Sequence, residues 1–134
     1  VVAFTQGHLG LAVQAATAIE GQLAPVQLNG QHYGDADLNM PLPVRVARVL
    51  GAQRVLAVDA SAHEERAPPG TGHWHEGDRL KRALSMPDAV AADVLLHPDT
   101  GYYTGMSRAY RQACIDIGER ETLAQAAALR RLHA

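Results

Sequence analysis

Apolar and polar positions divide the chain into short helices and strands joined by loops rich in Gly and Pro. The β-branched and aromatic run at residues 1–5 predicts a short strand. Residues 9–19 are small and apolar on almost every side, which predicts a helix that is buried on most of its faces. Gly21 is placed to end that helix.

A β-hairpin is predicted next in the chain. Two short runs with strand character, 26–28 and 31–33, flank the dipeptide Asn29-Gly30. This dipeptide readily adopts positive φ at both central positions of a type I′ turn. The hairpin therefore brings Tyr33, and then Asp35, to the edge or the end of a sheet.

An acidic loop follows the hairpin and leads into a helix. Asp35 and Asp37 lie in this loop, where backbone amides can hold a carboxylate. Pro41 and Pro43 prevent further strand pairing, and Pro43 has the fixed φ that suits the first turn of a helix. We expect any chemistry of this chain to be found here.

The helix after the acidic loop is predicted at 43–50, and Gly51 ends it. Its predicted buried side consists of three apolar residues: Val46, Val49 and Leu50. Two basic residues of this helix are predicted to face water: Arg45 and Arg48.

The segment 54–59 has an uninterrupted apolar centre at 55–58, which predicts a strand that is buried on both faces of a parallel sheet. The succession of helix, glycine and apolar strand is typical of an α/β protein. A second short buried strand is predicted at 93–97. The fold class is therefore α/β.

The remaining segments are loops and helices. Residues 61–77 are polar and rich in Pro and Gly, which predicts a long surface loop before a helical segment at about 78–84. A second loop is predicted at 100–105 and a C-terminal helix from about 107, with a pause at Gly118. Neither an internal repeat nor a linker is evident, so the sequence predicts one domain.

The composition and charge of the chain limit the kinds of function that can be expected of it. The chain has 134 residues, is 47% hydrophobic and 19% charged, and carries a formal net charge of -2, which is typical of a globular domain. Its 12 basic residues are scattered, so a nucleic-acid partner is not expected. The single cysteine, Cys114, excludes an internal disulfide and is expected to be a buried, inert thiol.

Three clusters are candidates for chemistry, and each has a structural alternative. Asp35 and Asp37 are either catalytic or a turn and helix-cap pair. The run at 73–76, His-Trp-His-Glu, lies in a Gly-rich loop without a third ligand at a recognised spacing, so no metal site is expected there. His97 ends a predicted strand, a favoured place for function in parallel sheets, although a hydrogen-bonded structural histidine is the more frequent case.

Common nucleophile and phosphate motifs are missing from the sequence. A nucleophilic serine in a strand-to-helix turn reads G-x-S-x-G, and Ser61, Ser85 and Ser107 all lack that context. The sequence also lacks a glycine-rich phosphate loop. No cofactor is expected.

An ordered series of motifs nevertheless closely resembles the second half of a patatin-like phospholipase domain. The series begins with Phe-Thr-Gln-Gly at 4–7, continues through 12–21 and the hairpin, and includes Tyr-Gly-Asp-Ala-Asp at 33–37 and Pro-Leu-Pro-Val at 41–44. Residues 51–59 and 92–101 resemble the family's helix-to-strand step and its late strand and loop. The resemblance covers nearly the whole chain, and it implies that residues 1–134 are the C-terminal part of a single patatin-like domain.

The resemblance implies a three-layer α/β/α fold and a lipid acyl hydrolase with a Ser-Asp dyad. By its position after Tyr33, Asp35 matches the family's catalytic aspartate, which acts as general base for the serine. Ala36, Asp37 and Asn39 are expected to neighbour the site. The serine and the oxyanion loop belong to the family's first half, so we expect the isolated chain to be inactive and the nucleophile to lie on another segment.

Two departures from the family pattern favour an alternative. The glycine that normally follows the catalytic aspartate is Ala36 here, and Asp37 places a second negative charge beside the expected base. In the segment 16–20, Ala16 replaces a serine and Glu20 a proline. The alternative function is therefore a non-catalytic binding or scaffold protein with a degenerate patatin-like fold.

The resemblance also implies partners. A strand that is apolar on both faces, such as 55–58, needs helices above and below it and neighbouring strands beside it, so we expect either a separate N-terminal half or self-association. A lipid or ester is the expected substrate. No targeting segment or membrane span is expected in these 134 residues, so the expected protein is soluble, either cytoplasmic or peripheral to a membrane. The aromatics Trp74, Tyr102 and Tyr103 are candidates for transient membrane contact.

Overall fold

The computed structural model describes residues 1–132, except for the side chain of His73. The chain forms two compact units, Val1–Pro41 and Leu42–Ala134. Both units contain helices and short strands, which confirms the general α/β class.

The first unit contains helix α1 (Leu9–Ala16) and the hairpin strands β1 (Val26–Leu28) and β2 (Gln31–Tyr33). The strands pair antiparallel with Leu28 opposite Gln31, so the two-residue turn is Asn29-Gly30 as predicted. Asn29 has φ 50° and Gly30 has φ 76°, the positive values that a type I′ turn requires. The hairpin is confirmed in position and register.

Helix α1 differs from its prediction in length and burial. It ends at Ala16, where the Thr17 hydroxyl donates to the Val13 carbonyl at 3.0 Å. Only Ala15 of this helix is buried, and Leu9 is 78% exposed. The predicted burial on most faces is therefore wrong, and the predicted strand at 1–5 does not form.

The second unit is built on two parallel strands, β3 (Leu56–Val58) and β4 (Val94–Leu96). They are connected through α3 (Gly72–Ala91), which gives a βαβ crossover. Helix α2 (Val44–Val49) precedes β3, and a 3₁₀ turn (Glu64–Arg66) lies between β3 and α3. Helices α4 (Arg108–Ala124) and α5 (Ala126–Arg131) follow β4.

A small apolar core lies where α2 and α3 meet the parallel strands. Its buried centre consists of three residues: Leu42, Val44 and Ala57. Partly buried residues pack around that centre: Val55, Ala89, Ala91, Ala92 and Leu95. The predicted buried side of α2 is wrong, because Val49 is 87% and Leu50 59% exposed, whereas Val44 is buried.

Strand β3 is buried on one face only. Ala57 is 5% exposed, but its neighbours Leu56 and Val58, which point to the opposite face, are 45% and 54% exposed. Burial on both faces, which the apolar sequence predicted, therefore does not occur in this chain. The parallel pairing itself is confirmed.

Helix α3 is longer than its predicted segment and includes Pro87. It begins at Gly72, inside the predicted loop 61–77, and continues to Ala91. A proline within a helix removes a backbone hydrogen bond and costs on the order of 3 kcal/mol. Asp88 and Ser85, beside this proline, are almost fully buried.

The C-terminal helices divide at Gln125 and not at Gly118. Gly118 lies inside α4. The Gln125 side chain donates to the carbonyl of Leu95 at 2.8 Å, which anchors the junction between α4 and α5 to strand β4. This long-range contact could not be read from periodicity.

Candidate functional site

The acidic loop of the first unit begins immediately after β2. The Asp35 amide donates to the carbonyl of Ala18 at 3.0 Å, which fixes the loop to the segment that follows α1. The Asp35 carboxylate Oδ1 accepts a hydrogen bond from the Asp37 amide at 2.9 Å. A backbone amide therefore orients the half-buried carboxylate of Asp35.

The loop then closes on Ala36. The amides of Asn39 and Met40 both donate to the Ala36 carbonyl, at 2.8 and 2.7 Å. Ala36 and Asp37 are half-buried and Asn39 is exposed. The structure therefore places all four predicted site residues, Asp35 included, in one tight turn, in which backbone amides donate to the Asp35 carboxylate and to the Ala36 carbonyl.

An aromatic pair lies at the start of this loop. The rings of Phe4 and Tyr33 are 5.1 Å apart in an edge-to-face arrangement, which ties the N-terminal segment to the end of the hairpin.

The carboxylate of Asp35, which the Asp37 amide orients, can accept a proton from a hydroxyl group. Residues 1–41 contain no serine, so the first unit alone supplies a carboxylate but no serine hydroxyl.

A second polar cluster lies at the carboxyl ends of β3 and β4, where parallel sheets usually carry their sites. We call the following five residues the histidine cluster: Asp59, Ser61, His63, Arg82 and His97. The rings of His63 and His97 are stacked, 3.9 Å apart with an interplanar angle of 12°. Asp59 is only 4% exposed, and its Oδ2 lies 3.4 Å from Arg82 Nη1.

Hydrogen bonds engage all four ring nitrogens of the stacked pair. His97 Nδ1 lies 3.2 Å from Arg82 Nη1, and His97 Nε2 lies 3.0 Å from the Ser61 carbonyl oxygen. His63 Nε2 lies 3.1 Å from the His97 carbonyl oxygen, and His63 Nδ1 lies 3.2 Å from Glu65 Oε1. His97 is therefore a hydrogen-bonded histidine, the structural alternative that its sequence position had left open.

The histidine cluster was missed as a unit by the sequence reasoning. His63 and His97 are 34 residues apart, and only the parallel pairing of β3 with β4 brings them together. One signal in the sequence could have indicated the cluster: Asp59 and His97 each follow an apolar strand. Because the carboxyl ends of parallel strands lie at the same edge of a sheet, two such residues are expected to lie close together.

The loop after β4 carries a further ion pair beside the cluster. Asp99 Oδ2 lies 2.9 Å from Arg66 Nε. The pKa of Asp99 is lowered, mainly because its carboxylate accepts the Gly101 amide and also because Arg66 and His63 are near. Asp99 therefore helps to join the loop after β4 to the 3₁₀ turn.

Residues 73–76, weighed as a metal cluster, lie in the first turns of α3. The side chain of His73 is outside the described residues. His75 Nε2 is 3.6 Å from Glu64 Oε1. Within the described part of the chain, no three His, Cys, Asp or Glu side chains converge as metal ligands.

No protein-family model matches this chain. Among residues 1–132, no helix has both the length and the apolar character that crossing a bilayer requires. The chain is a mixed α/β protein. Two polar sites are described in it: the acidic loop after β2 and the histidine cluster at the carboxyl ends of β3 and β4.

Proposed function

We propose that this chain is the C-terminal portion of a patatin-like lipid acyl hydrolase of the phospholipase type, with Asp35 as the general base of a Ser-Asp dyad. The observation that carries the proposal is the geometry of Asp35. Its carboxylate directly follows a hairpin strand, is half-buried, and is oriented by the Asp37 amide at 2.9 Å. The motif order along the chain supports the same assignment.

In the proposed reaction, Asp35 takes the proton of a serine hydroxyl while the serine oxygen attacks an ester carbonyl. The proton then passes to the leaving alcohol as the ester bond breaks, and an acyl-serine remains. Asp35 next takes a proton from a water molecule as that water attacks the acyl-serine, and it returns this proton to the serine oxygen as the fatty acid leaves. The serine and the oxyanion donors of this scheme belong to a segment outside these 134 residues.

The exposed apolar face of β3 supports the proposal that another polypeptide segment packs against this strand. A two-stranded parallel sheet is rarely stable by itself, and parallel sheets are normally covered on both faces. Leu56 and Val58 are about half exposed here. We propose that a separate N-terminal half, or a second copy of the chain, completes the three-layer α/β/α arrangement.

A non-catalytic binding or scaffold protein is the second candidate. The observation that favours it is the contact between Asp35 and the Asp37 amide, because the same bond is found where an aspartate only stabilises a turn. Ala36 and Asp37 also depart from the glycine-containing family motif.

The test uses the complete polypeptide that contains this chain and measures hydrolysis of a short-chain p-nitrophenyl ester. Asp35→Asn is expected to lower kcat by about 10²–10⁴, the usual contribution of a general base. Asp116→Asn is the control, because its exposed carboxylate lies in α4 of the second unit, and we expect its kcat to stay within a few-fold of the parent value.

Two outcomes would count against the enzyme proposal. If Asp35→Asn retains the parent kcat, Asp35 is not the base. If the complete and folded polypeptide binds a lipid but hydrolyses no ester, the binding function is correct. The 134-residue chain alone is expected to be inactive in the same assay.

A further inference from the structure

The two asparagines of the chain differ in the backbone amide that follows each of them. Asn29 precedes Gly30 in the turn of the β1–β2 hairpin, whereas Asn39 precedes Met40 in the acidic loop. The Met40 amide donates to the Ala36 carbonyl at 2.7 Å. The Gly30 amide makes no hydrogen bond within the described part of the chain. The nitrogen after Asn39 is therefore held, and the nitrogen after Asn29 is not.

The hairpin turn is also open to its surroundings. Asn29 and Gly30 are both exposed, and a Cβ added to Gly30 would meet nothing within 4 Å. A glycine nitrogen is the least shielded peptide nitrogen, because no side chain stands next to it. A five-membered ring that joins Asn29 Cγ to this nitrogen needs only rotations about the bonds of Asn29. The open surroundings leave room for those rotations.

We propose that Asn29-Gly30 is a site of spontaneous covalent modification, at which the Asn29 side chain loses its amide by deamidation. First, the Gly30 nitrogen forms a bond to Asn29 Cγ and the Cγ–Nδ2 bond breaks. The side-chain nitrogen leaves as ammonia with the proton of the Gly30 amide, and a succinimide ring remains. Water then opens the ring. Attack at Cγ gives an aspartate at position 29, and attack at the main-chain carbonyl gives an isoaspartyl linkage, in which the backbone runs through Cγ.

The two products are expected to differ in their effect on the hairpin. Asp-Gly also fits a type I′ turn, so the aspartate form can keep the register in which Leu28 lies opposite Gln31. The isoaspartyl linkage adds a carbon atom to the backbone of a two-residue turn, and only three residue pairs hold β1 to β2. The isoaspartyl form therefore weakens the hairpin that leads to Asp35. This modification does not rest on the proposed hydrolase function.

The first test incubates the folded polypeptide that contains this chain at pH 8.5 and compares its two asparagines. Chymotrypsin cleaves after Tyr33, which separates Asn29 from Asn39, and tandem mass spectrometry locates the mass gained when NH₂ is replaced by OH. Asn29 is expected to react at least an order of magnitude faster than Asn39. Equal rates would overturn the proposal. So would an unchanged Asn29 over the time in which a synthetic peptide of residues 26–33 is fully converted.

The second test removes the reacting side chain and keeps the turn. Asn29→Gly is the matched variant, because Gly-Gly also forms type I′ turns and carries no side-chain amide. Each deamidation adds a negative charge, so anion-exchange chromatography follows it in the intact polypeptide. The more acidic species that accumulates in the parent is expected to be absent from Asn29→Gly. Its appearance at the parent rate in this variant would exclude Asn29 as its origin.

The third test compares the two products by NMR of the aged, ¹⁵N-labelled polypeptide after their separation. The isoaspartyl form is identified by methylation with an isoaspartyl O-methyltransferase. The amide signals of β1 and β2 are expected to shift in this form and to stay near their parent positions in the aspartate form. Identical strand signals in the two forms would contradict the proposed weakening of the hairpin.

Discussion

Two neighbouring buried polar residues of α3 have opposite expected effects on stability. Asp88, only 1% exposed, accepts the Arg45 amide at 2.6 Å and the Arg45 guanidinium at 2.9 and 3.0 Å. Ser85 is 0% exposed, and its hydroxyl has no hydrogen-bond partner among the described residues. One side chain therefore completes a set of hydrogen bonds, whereas the other adds an unsatisfied group to the interior.

Asp88→Ala is expected to lower the free energy of unfolding by about 2 kcal/mol, because the Arg45 amide loses a charged acceptor. Urea denaturation followed by circular dichroism measures this change. Asp116→Ala is the control, since its exposed carboxylate contacts only a side chain of the same helix in the described structure, and a change within about 0.5 kcal/mol is expected. An equal loss in the two variants would contradict the role of Asp88.

Ser85→Ala is expected to raise the free energy of unfolding by about 1 kcal/mol, because it removes a buried hydroxyl without a described partner and keeps the Cβ carbon. The same urea experiment applies. Ser107→Ala provides the contrast: the Ser107 hydroxyl accepts the Tyr110 amide at the start of α4, so its loss is expected to cost about 1 kcal/mol. Destabilisation by Ser85→Ala would show that its hydroxyl has a stabilising contact.

At the residue scale, sequence reasoning was weakest for the arginines of α2. Arg45 and Arg48 were predicted to face water, and Arg45 is exposed as predicted, whereas Arg48 is half-buried. Both also bind carboxylates that the prediction did not include, those of Asp88 and Asp93, which are 43 and 45 residues away. Helical periodicity places a residue on a face, but it carries no information about which acceptor another element will bring to that face.

At the scale of elements, Ala substitutions at two glycines of the second unit measure the effect of backbone conformation on stability without a contribution from steric crowding. Gly51, with φ 98°, follows α2, whereas Gly118 lies inside α4. An added Cβ would meet nothing within 4 Å at either position. Any difference between Ala variants at these positions therefore reports backbone conformation.

Gly51→Ala is expected to lower the free energy of unfolding by about 1 kcal/mol, because an L-residue disfavours positive φ. Gly118→Ala is expected to raise it by about 0.5–1 kcal/mol, because Ala favours the helix interior. Thermal unfolding of both variants measures the difference. The same sign in both variants would contradict this account.

The junction between α2, β3 and β4 is expected to be sensitive to acid. The pKa of Asp93 is lowered, first by the Val55 amide at 2.7 Å and then by Arg48 at 2.6 Å. A carboxyl whose pKa is lower in the folded chain stabilises the fold above its unfolded value of 3.8, and this contribution is lost as the pH falls through the folded pKa.

Asp93→Asn is therefore expected to lower Tm at pH 6 and to flatten the fall of Tm below pH 4. Differential scanning calorimetry between pH 6 and pH 2.5 tests both effects. Asp116→Asn, with its exposed carboxylate on α4, is expected to keep the parent pH profile. A parent-like slope in Asp93→Asn would show that this carboxyl does not contribute to acid sensitivity.

For the whole molecule, the exposed apolar face of β3 is the feature that bears on assembly. Leu56 and Val58 lie on the same face of the strand and are 45% and 54% exposed. We expect the 134-residue chain alone to associate with itself, and native mass spectrometry should show species above the 14.3 kDa monomer.

The double variant Leu56→Ser with Val58→Ser is expected to shift that population toward the monomer. Leu123→Ser, at an exposed leucine of α4, is the control and should leave the population unchanged. A well-folded parent chain that is wholly monomeric would contradict the expectation. Addition of the proposed N-terminal half should displace self-association if the two compete for the same face.

The sequence by itself determined the hairpin turn at Asn29-Gly30, the start of α2 after Pro43 and the general α/β class. These features depend on the φ preferences of single residues and on the period of apolar positions, which are local properties. It also indicated Asp35 as the candidate base, through the order of motifs around it. The Asp35 assignment stays a prediction until the ester assay is done.

Only the tertiary structure decided which distant groups meet. It brought His63 against His97 and Asp88 against Arg45, and it left one face of β3 uncovered. An apolar strand sequence indicates that both faces can be buried, but burial requires other elements to pack there. The physical reason is that long-range contacts depend on how whole elements pack, and no local pattern of residues encodes that packing.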